Sequence, residues 1–266
     1  MKPASDHAPL AAALYALLGL AALAVFLYPF WAPDQPAVAE ARLVTLASSG
    51  AAALLLLGLI GEAQAGLTAQ TIAMLGTLVG LNTALRVIET LLPLPGGFSP
   101  VFLLIILVGY TFGARMGFLM GALTMLVSGP LTAGGLGPWT PYQMLAAGWV
   151  GLGAAFVPGR RAPGRPTKSA HLALALYGAA WGLLYGALTN LYFWPYTLLA
   201  PDLAWSPGLP LPATLARYGR FYLITSLAWD SVRALGNLVL LALLGPALLR
   251  VLDRFRRRAR VAWEPA

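Results

Sequence analysis

The chain has 266 residues, 59% of them hydrophobic and 10% charged, with a mean hydropathy of +0.76; this lies far above a soluble domain and marks a polytopic membrane protein. The formal charge of +8 does not point to nucleic acid, because ten of the seventeen basic residues sit in two clusters beside apolar segments, Arg160–Lys168 and Arg250–Arg260, the pattern of cytoplasmic membrane flanks. The chain has no cysteine, which excludes disulfides, thiolate nucleophiles and cysteine metal sites.

The apolar run Pro9–Tyr28 is longer than a signal-peptide core and belongs to a first span over Pro9–Phe30. A loop with Trp31, Pro33, Asp34 and Pro36 follows, then a second span over Leu43–Ile60. Glu62 and Gln64 interrupt the apolar pattern before a third span, Leu67–Glu89. The stretch Phe98–Val127 would be about 45 Å long as a single helix, against a bilayer core of about 30 Å. It is therefore divided near Gly113-Ala114-Arg115 into Pro100–Phe112 and Met116–Gly129. Gly109, Gly113, Gly117 and Gly121 keep four-residue spacing across that point, a pattern one continuous helix would also explain. Three further helices follow: Pro141–Val157, Ala170–Trp194 and a long one from Arg217 to Leu252.

Charge orients this arrangement. The two basic clusters are separated by two helices, so both fall on the cytoplasmic side. Counting back places Arg115 and both termini inside. The loops Trp31–Glu40, Leu91–Phe98, Leu131–Thr140 and Pro195–Ala216 then fall outside. The outer loops hold Trp139, Trp194, Tyr196, Asp202 and Trp205 among many Pro and Gly, so recognition is expected on that face. The competing reading is an aromatic belt at the membrane surface. For Trp205 the belt is preferred; for Trp139 both readings stand.

Thr132–Ala155 joins a Gly-rich loop to an apolar helix. Thr140 suits an N-cap, Pro141 a first helical position, and Tyr142 and Gln143 the first turn. Ala147, Gly151 and Ala155 give a four-residue ridge of small residues for helix contact. Asn82, Arg86 and Glu89 lie at the outer end of the third span; Arg86 either meets a ligand, pairs with Glu89, or snorkels. Gly178, Gly182, Gly186 and Asn190 form one ridge, read as close packing with Asn190 at its outer end, and Tyr177, Trp181 and Tyr185 form another. The last helix carries an intramembrane polar cluster, Ser226, Trp229, Asp230, Arg233 and Asn237. Asp230 and Arg233 are three apart, so the cluster is either an internal ion pair that fixes packing or a ligand or coupling site. No HExxH motif, Walker A sequence or catalytic constellation occurs, and neither His7 nor His171 has a neighbouring carboxylate in sequence. The chain reads as neither an enzyme nor a metal protein.

The stretches LNTALR (Leu81–Arg86), GFLMGALTMLVSGPLTAGGLGPWTPYQMLAAGWVGLGA (Gly117–Ala154), YGALTNLYFWPY (Tyr185–Tyr196) and FYLITSLAWDSVRALGN (Phe221–Asn237) resemble the substrate-binding membrane subunits, or S components, of energy-coupling factor (ECF) vitamin transporters. The GGxGPWxPxQMLAAxWVGLGA pattern is similar to the branch described as predicted cobalamin-type. The resemblance covers about Gly66–Arg250. It implies an all-α membrane protein with a six-helix core at 66–252; the two N-terminal transmembrane helices read within 1–65 lie outside that core, and the basic cytoplasmic tail at 253–266 follows it. It also implies a prokaryotic plasma-membrane importer subunit that captures a micronutrient outside, then topples on a coupling protein driven by two separate ATPases. No intrinsic cofactor is implied; the ligand would be cobalamin or another corrinoid, or alternatively a flavin or other heterocycle. Ala69 and Ala73 match the AxxxA motif that packs on the coupling protein in that family. The candidate substrate-binding residues are then Asn82, Arg86, Trp139, Tyr142, Gln143, Asn190, Trp194, Tyr196 and Tyr222.

Overall fold

The computed structural model describes residues 67–92, 96–132, 134–137, 139–159, 167–197 and 200–261, with scattered positions between 16 and 53. The expected span Leu43–Ile60 and the basic loop before Thr167 lie outside the described residues, apart from Gly50 and Ala53. Every regular element among the described residues is helical. In chain order these are α1 (Ala69–Leu91), α2 (Val101–Phe112), α3 (Ala114–Ser128), α4 (Thr140–Ala154), α5 (Lys168–Phe193), α6 (Leu211–Thr225), α7 (Leu227–Leu243) and α8 (Gly245–Val261). Among the described residues, three stretches are long and apolar enough to cross a membrane: α1, α3 with its 3-10 extension to Leu131, and α5. The bent pair α6–α7 makes a fourth if counted as one span.

α2 is the centre of the molecule. It is apolar all round, and every residue from Val101 to Thr111 is buried, as expected of a helix enclosed on all sides. Its 12 residues reach only about 18 Å. At Gly113 the chain turns back with φ +105°, a conformation open to glycine. A Cβ placed on Gly117 would lie 2.7 Å from the Cα of Gly109, whereas a straight helix would hold these residues about 12 Å apart. The four-residue glycine spacing thus serves two helices folded on one another. It also serves a third: Gly109 and Gly117 both abut the Gly151 carbonyl of α4, and Gly121 abuts that of Ala147. Three backbones meet where side chains would hold them apart.

α5 and α7 form the second close pair, antiparallel. Thr167 caps α5 by accepting the Ala170 N–H (3.3 Å). Gly178 lies against Asn237 and Leu241, Gly182 against Ala234, and Gly186 against Asp230, while Asn190 donates to Ser226 Oγ (2.6 Å).

The single helix expected over Arg217–Leu252 is corrected to three. The structure begins earlier, at Leu211, with Pro212 in the first turn, bends by 69° between α6 and α7, and breaks again at Leu244. Two features explain the bend. Ser226 leaves helical geometry (φ −129°, ψ −30°), and Thr225 Oγ1 donates back to the Phe221 carbonyl (2.8 Å), a bond that bends helices.

The turn at Gly113, Gly159 and α8 gather at one end of the bundle. A Cβ on Gly159 would lie 2.5 Å from the Ala170 Cβ and 3.3 Å from the Tyr110 hydroxyl. Arg256 donates to the Thr111 carbonyl (3.2 Å). The start of α4 and the end of α5 meet at the other end.

Candidate ligand cleft

At that other end the segment before α4 is shaped by glycine. Gly135 has φ +60°, and Gly137 leaves room for the Trp139 ring, whose Cζ2 and Cη2 would lie 2.5 Å from a Cβ there. The helix begins one residue earlier than expected, with Trp139 at the cap position and Thr140 within the helix. The Thr140 hydroxyl accepts from the Gly137 N–H (2.9 Å), so it ties the loop down instead of capping α4.

This geometry holds Trp139, Tyr142 and Gln143 together over the end of α5. With Thr189 and Tyr192 they line a cleft of about 310 Å³. Trp139 is 39% exposed and Tyr142 only 1%. The Tyr142 ring packs on Tyr192 (centroids 4.5 Å apart) and edge-on to Phe26 (4.9 Å). Thr189 donates to the Tyr185 carbonyl (2.8 Å), leaving its lone pairs toward acceptor use. None of the five lining side chains is charged at neutral pH. The cleft can stack a planar ring and offer the Gln143 amide as donor and acceptor. It holds no nucleophile with an adjacent base, and the described residues contain no group of three metal-ligating side chains.

The other candidates lie elsewhere. Asn82 is fully buried and donates to the Val101 carbonyl (3.0 Å) and Thr124 Oγ1 (3.3 Å). Arg86 donates to Ser128 Oγ (2.5 Å), and Glu89 accepts from Ser99 (2.8 Å). These residues tie α1 to α2 and α3. Asn190 faces Ser226. Trp194 is fully buried, donates to the Leu203 carbonyl (2.9 Å), and packs with Trp205, Tyr218 and Phe221. Trp205, preferred above as a belt residue, is a 7% exposed member of that cluster. Tyr222 donates to the Leu183 carbonyl (3.3 Å). The side chain of Tyr196 lies outside the described residues.

Asp230, Arg233 and Asn237 of the α7 cluster face α5. Asp230 and Arg233 form an ion pair. Arg233 also donates to the Gly182 carbonyl (3.3 Å) and lies 5.7 Å from the Tyr185 ring centroid, and Asn237 donates to the Gly178 carbonyl (2.9 Å). Trp229 is 56% exposed and rests on Gly96. Ala69 and Ala73 are exposed on α1.

Thr189 and Tyr192 were not among the residues singled out from sequence. Their signal was present: the ridge Tyr177–Trp181–Tyr185 continues by four and three residues to both. Asn190 continues the glycine ridge instead, which faces α7. The chain matches no protein-family model, no curated protein and no solved structure.

Proposed function

We propose that the chain is the substrate-binding membrane subunit of an ECF-type importer, built on a six-helix core with extra N-terminal helices, in a prokaryotic plasma membrane with both termini cytoplasmic. The reading rests on one observation: an uncharged aromatic and amide cleft at one end of an apolar helical bundle, opposite the end that holds Arg115, Lys168 and Arg256. Such a cleft binds and orients; it lacks groups for chemistry. An enzyme or scaffold built on Asp230 and Arg233 is less well supported, because those side chains are engaged with α5 and do not line the cleft.

The ligand is a micronutrient captured at the outer face, cobalamin or a related corrinoid by the sequence resemblance. The cleft volume favours a second reading. About 310 Å³ lies at the lower end of small-molecule sites, which suits a single heterocycle such as a flavin, or one edge of a corrinoid. Mass spectrometry of small molecules that co-purify with the subunit, followed by titration with cobalamin, cobinamide and riboflavin, separates these. Binding of none of the three removes the vitamin assignments while leaving the fold untouched.

Delivery requires a transmembrane coupling protein and two ATPases. α1 offers a surface for the former: Ala69, Ala73, Gly76, Gly80 and Ala84 are all exposed, and a Cβ on Gly76 or Gly80 would meet nothing within 4 Å. Ala73→Trp is therefore expected to abolish uptake in cells while ligand binding by the purified subunit is unchanged. Loss of binding in that variant would assign the alanines to the subunit's own fold.

A further inference from the structure

α8 combines features that neither the cleft nor the α1 surface uses. Arg256 at the Thr111 carbonyl, together with the approach of Tyr110, Gly159 and Ala170, places α8 at the end of the bundle where α5 begins. The helix is anchored there. Leu249 and Leu252 are buried, and Arg256 donates to the Thr111 carbonyl (3.2 Å), one of the carbonyls that the C-terminus of α2 leaves without a helical partner. Asp253, the one acidic residue of α8, lies 3.6 Å from Arg256 and pairs with it.

Two stripes remain turned outward, side by side. Val251 and Phe255 are 47% and 52% exposed, and with exposed Leu244 they continue the apolar surface of α7. Arg250 and Arg254 are exposed on the neighbouring stripe; Arg250 donates its Nε–H to the Pro246 carbonyl (3.2 Å). Arg115 and Lys168, also exposed, belong to the same end of the bundle. An apolar stripe beside a cationic one, at the depth where the spans end, is the geometry of a helix lying at a membrane surface.

We propose that α8 is an interfacial helix that binds anionic phospholipid, with Val251 and Phe255 at the acyl boundary and Arg250 and Arg254 on headgroup phosphates. Charge selects this occupant: outward cations on two elements and α8 face a leaflet, and the only acid of α8 is already paired. Because Arg256 clamps α8 to the end of α2, lipid held on α8 also steadies the α2–α3 turn.

The full-length subunit, delipidated in detergent, is titrated with phosphatidylglycerol or phosphatidylcholine. Bound lipid is counted by native mass spectrometry and the unfolding midpoint is followed. Phosphatidylglycerol is expected to be retained preferentially and to raise the midpoint. Arg250→Gln with Arg254→Gln should weaken its retention roughly 30-fold without changing that of phosphatidylcholine, whereas Val251→Ser with Phe255→Ser should weaken both lipids. Equal retention of phosphatidylglycerol by wild type and the arginine variant would overturn the proposal. So would an equal rise of the midpoint with inorganic phosphate, which would mark a free-anion site. A dimer formed through α8 that lipid does not dissociate would likewise overturn it and assign the face to a second copy of the chain.

Discussion

Gly117→Ala is expected to destabilise the protein by about 1–2 kcal/mol, whereas Gly80→Ala should be neutral or slightly stabilising. The added methyl is the same. At Gly117 it would run into the Gly151 carbonyl and lie 2.7 Å from the Gly109 Cα. Both obstacles are backbone, which cannot swing aside as a side chain can. Overpacking of this kind costs about 1–3 kcal/mol and occasionally more, and it outweighs the gain of about 1 kcal/mol that alanine brings over glycine in a helix interior. Around Gly80 nothing lies within 4 Å, so only the gain remains. Denaturant titration in detergent measures both. Equal stabilities for the two variants would show that α2, α3 and α4 do not meet at these glycines.

Asp230→Ala is expected to be the most damaging single change in the polar cluster, at about 3 kcal/mol. It leaves the half-buried Arg233 against α5 without its ion-pair partner, held by the Gly182 carbonyl and the Tyr185 ring, and it empties the space beside Gly186. Asp230→Ala combined with Arg233→Leu should recover a large part of the loss, since removing both charges of a buried pair is far milder than removing one. Unfolding of the single and double variants in the same detergent checks this. Ligand binding by whatever fraction remains folded should be unchanged, because neither residue lines the cleft.

Particular elements explain why some of this architecture was legible in sequence. The break at Gly113 follows from length against bilayer thickness. The packing of Gly178, Gly182 and Gly186 follows from their spacing, since small residues every four positions let another helix approach. The bend at Ser226 was hidden: Tyr222 to Asn237 keeps helical spacing throughout, and the deviation depends on a hydroxyl bonding back within the turn and on Asn190 from another helix. The same limit applies to the cleft. Trp139, Tyr142 and Gln143 stood out because a loop rich in glycine ran into a helix start. Asn82, Arg86, Asn190 and Trp194 stood out as polar or aromatic groups at helix ends. Whether such a group faces a ligand or a neighbouring helix depends on packing across long sequence distances, as with Asn82 and Thr124. Polar groups in a membrane interior usually find partners, and these four found theirs within the fold.

We propose that the protein binds a small molecule in the cleft formed by Trp139, Tyr142, Gln143, Thr189 and Tyr192. Isothermal titration of the purified protein, without ATP or partners, with the ligand identified from co-purification tests it most directly. Trp139→Ala and Gln143→Ala should each weaken binding about tenfold or more while leaving the unfolding midpoint of the ligand-free protein in place. Wild-type affinity in both variants would contradict the account.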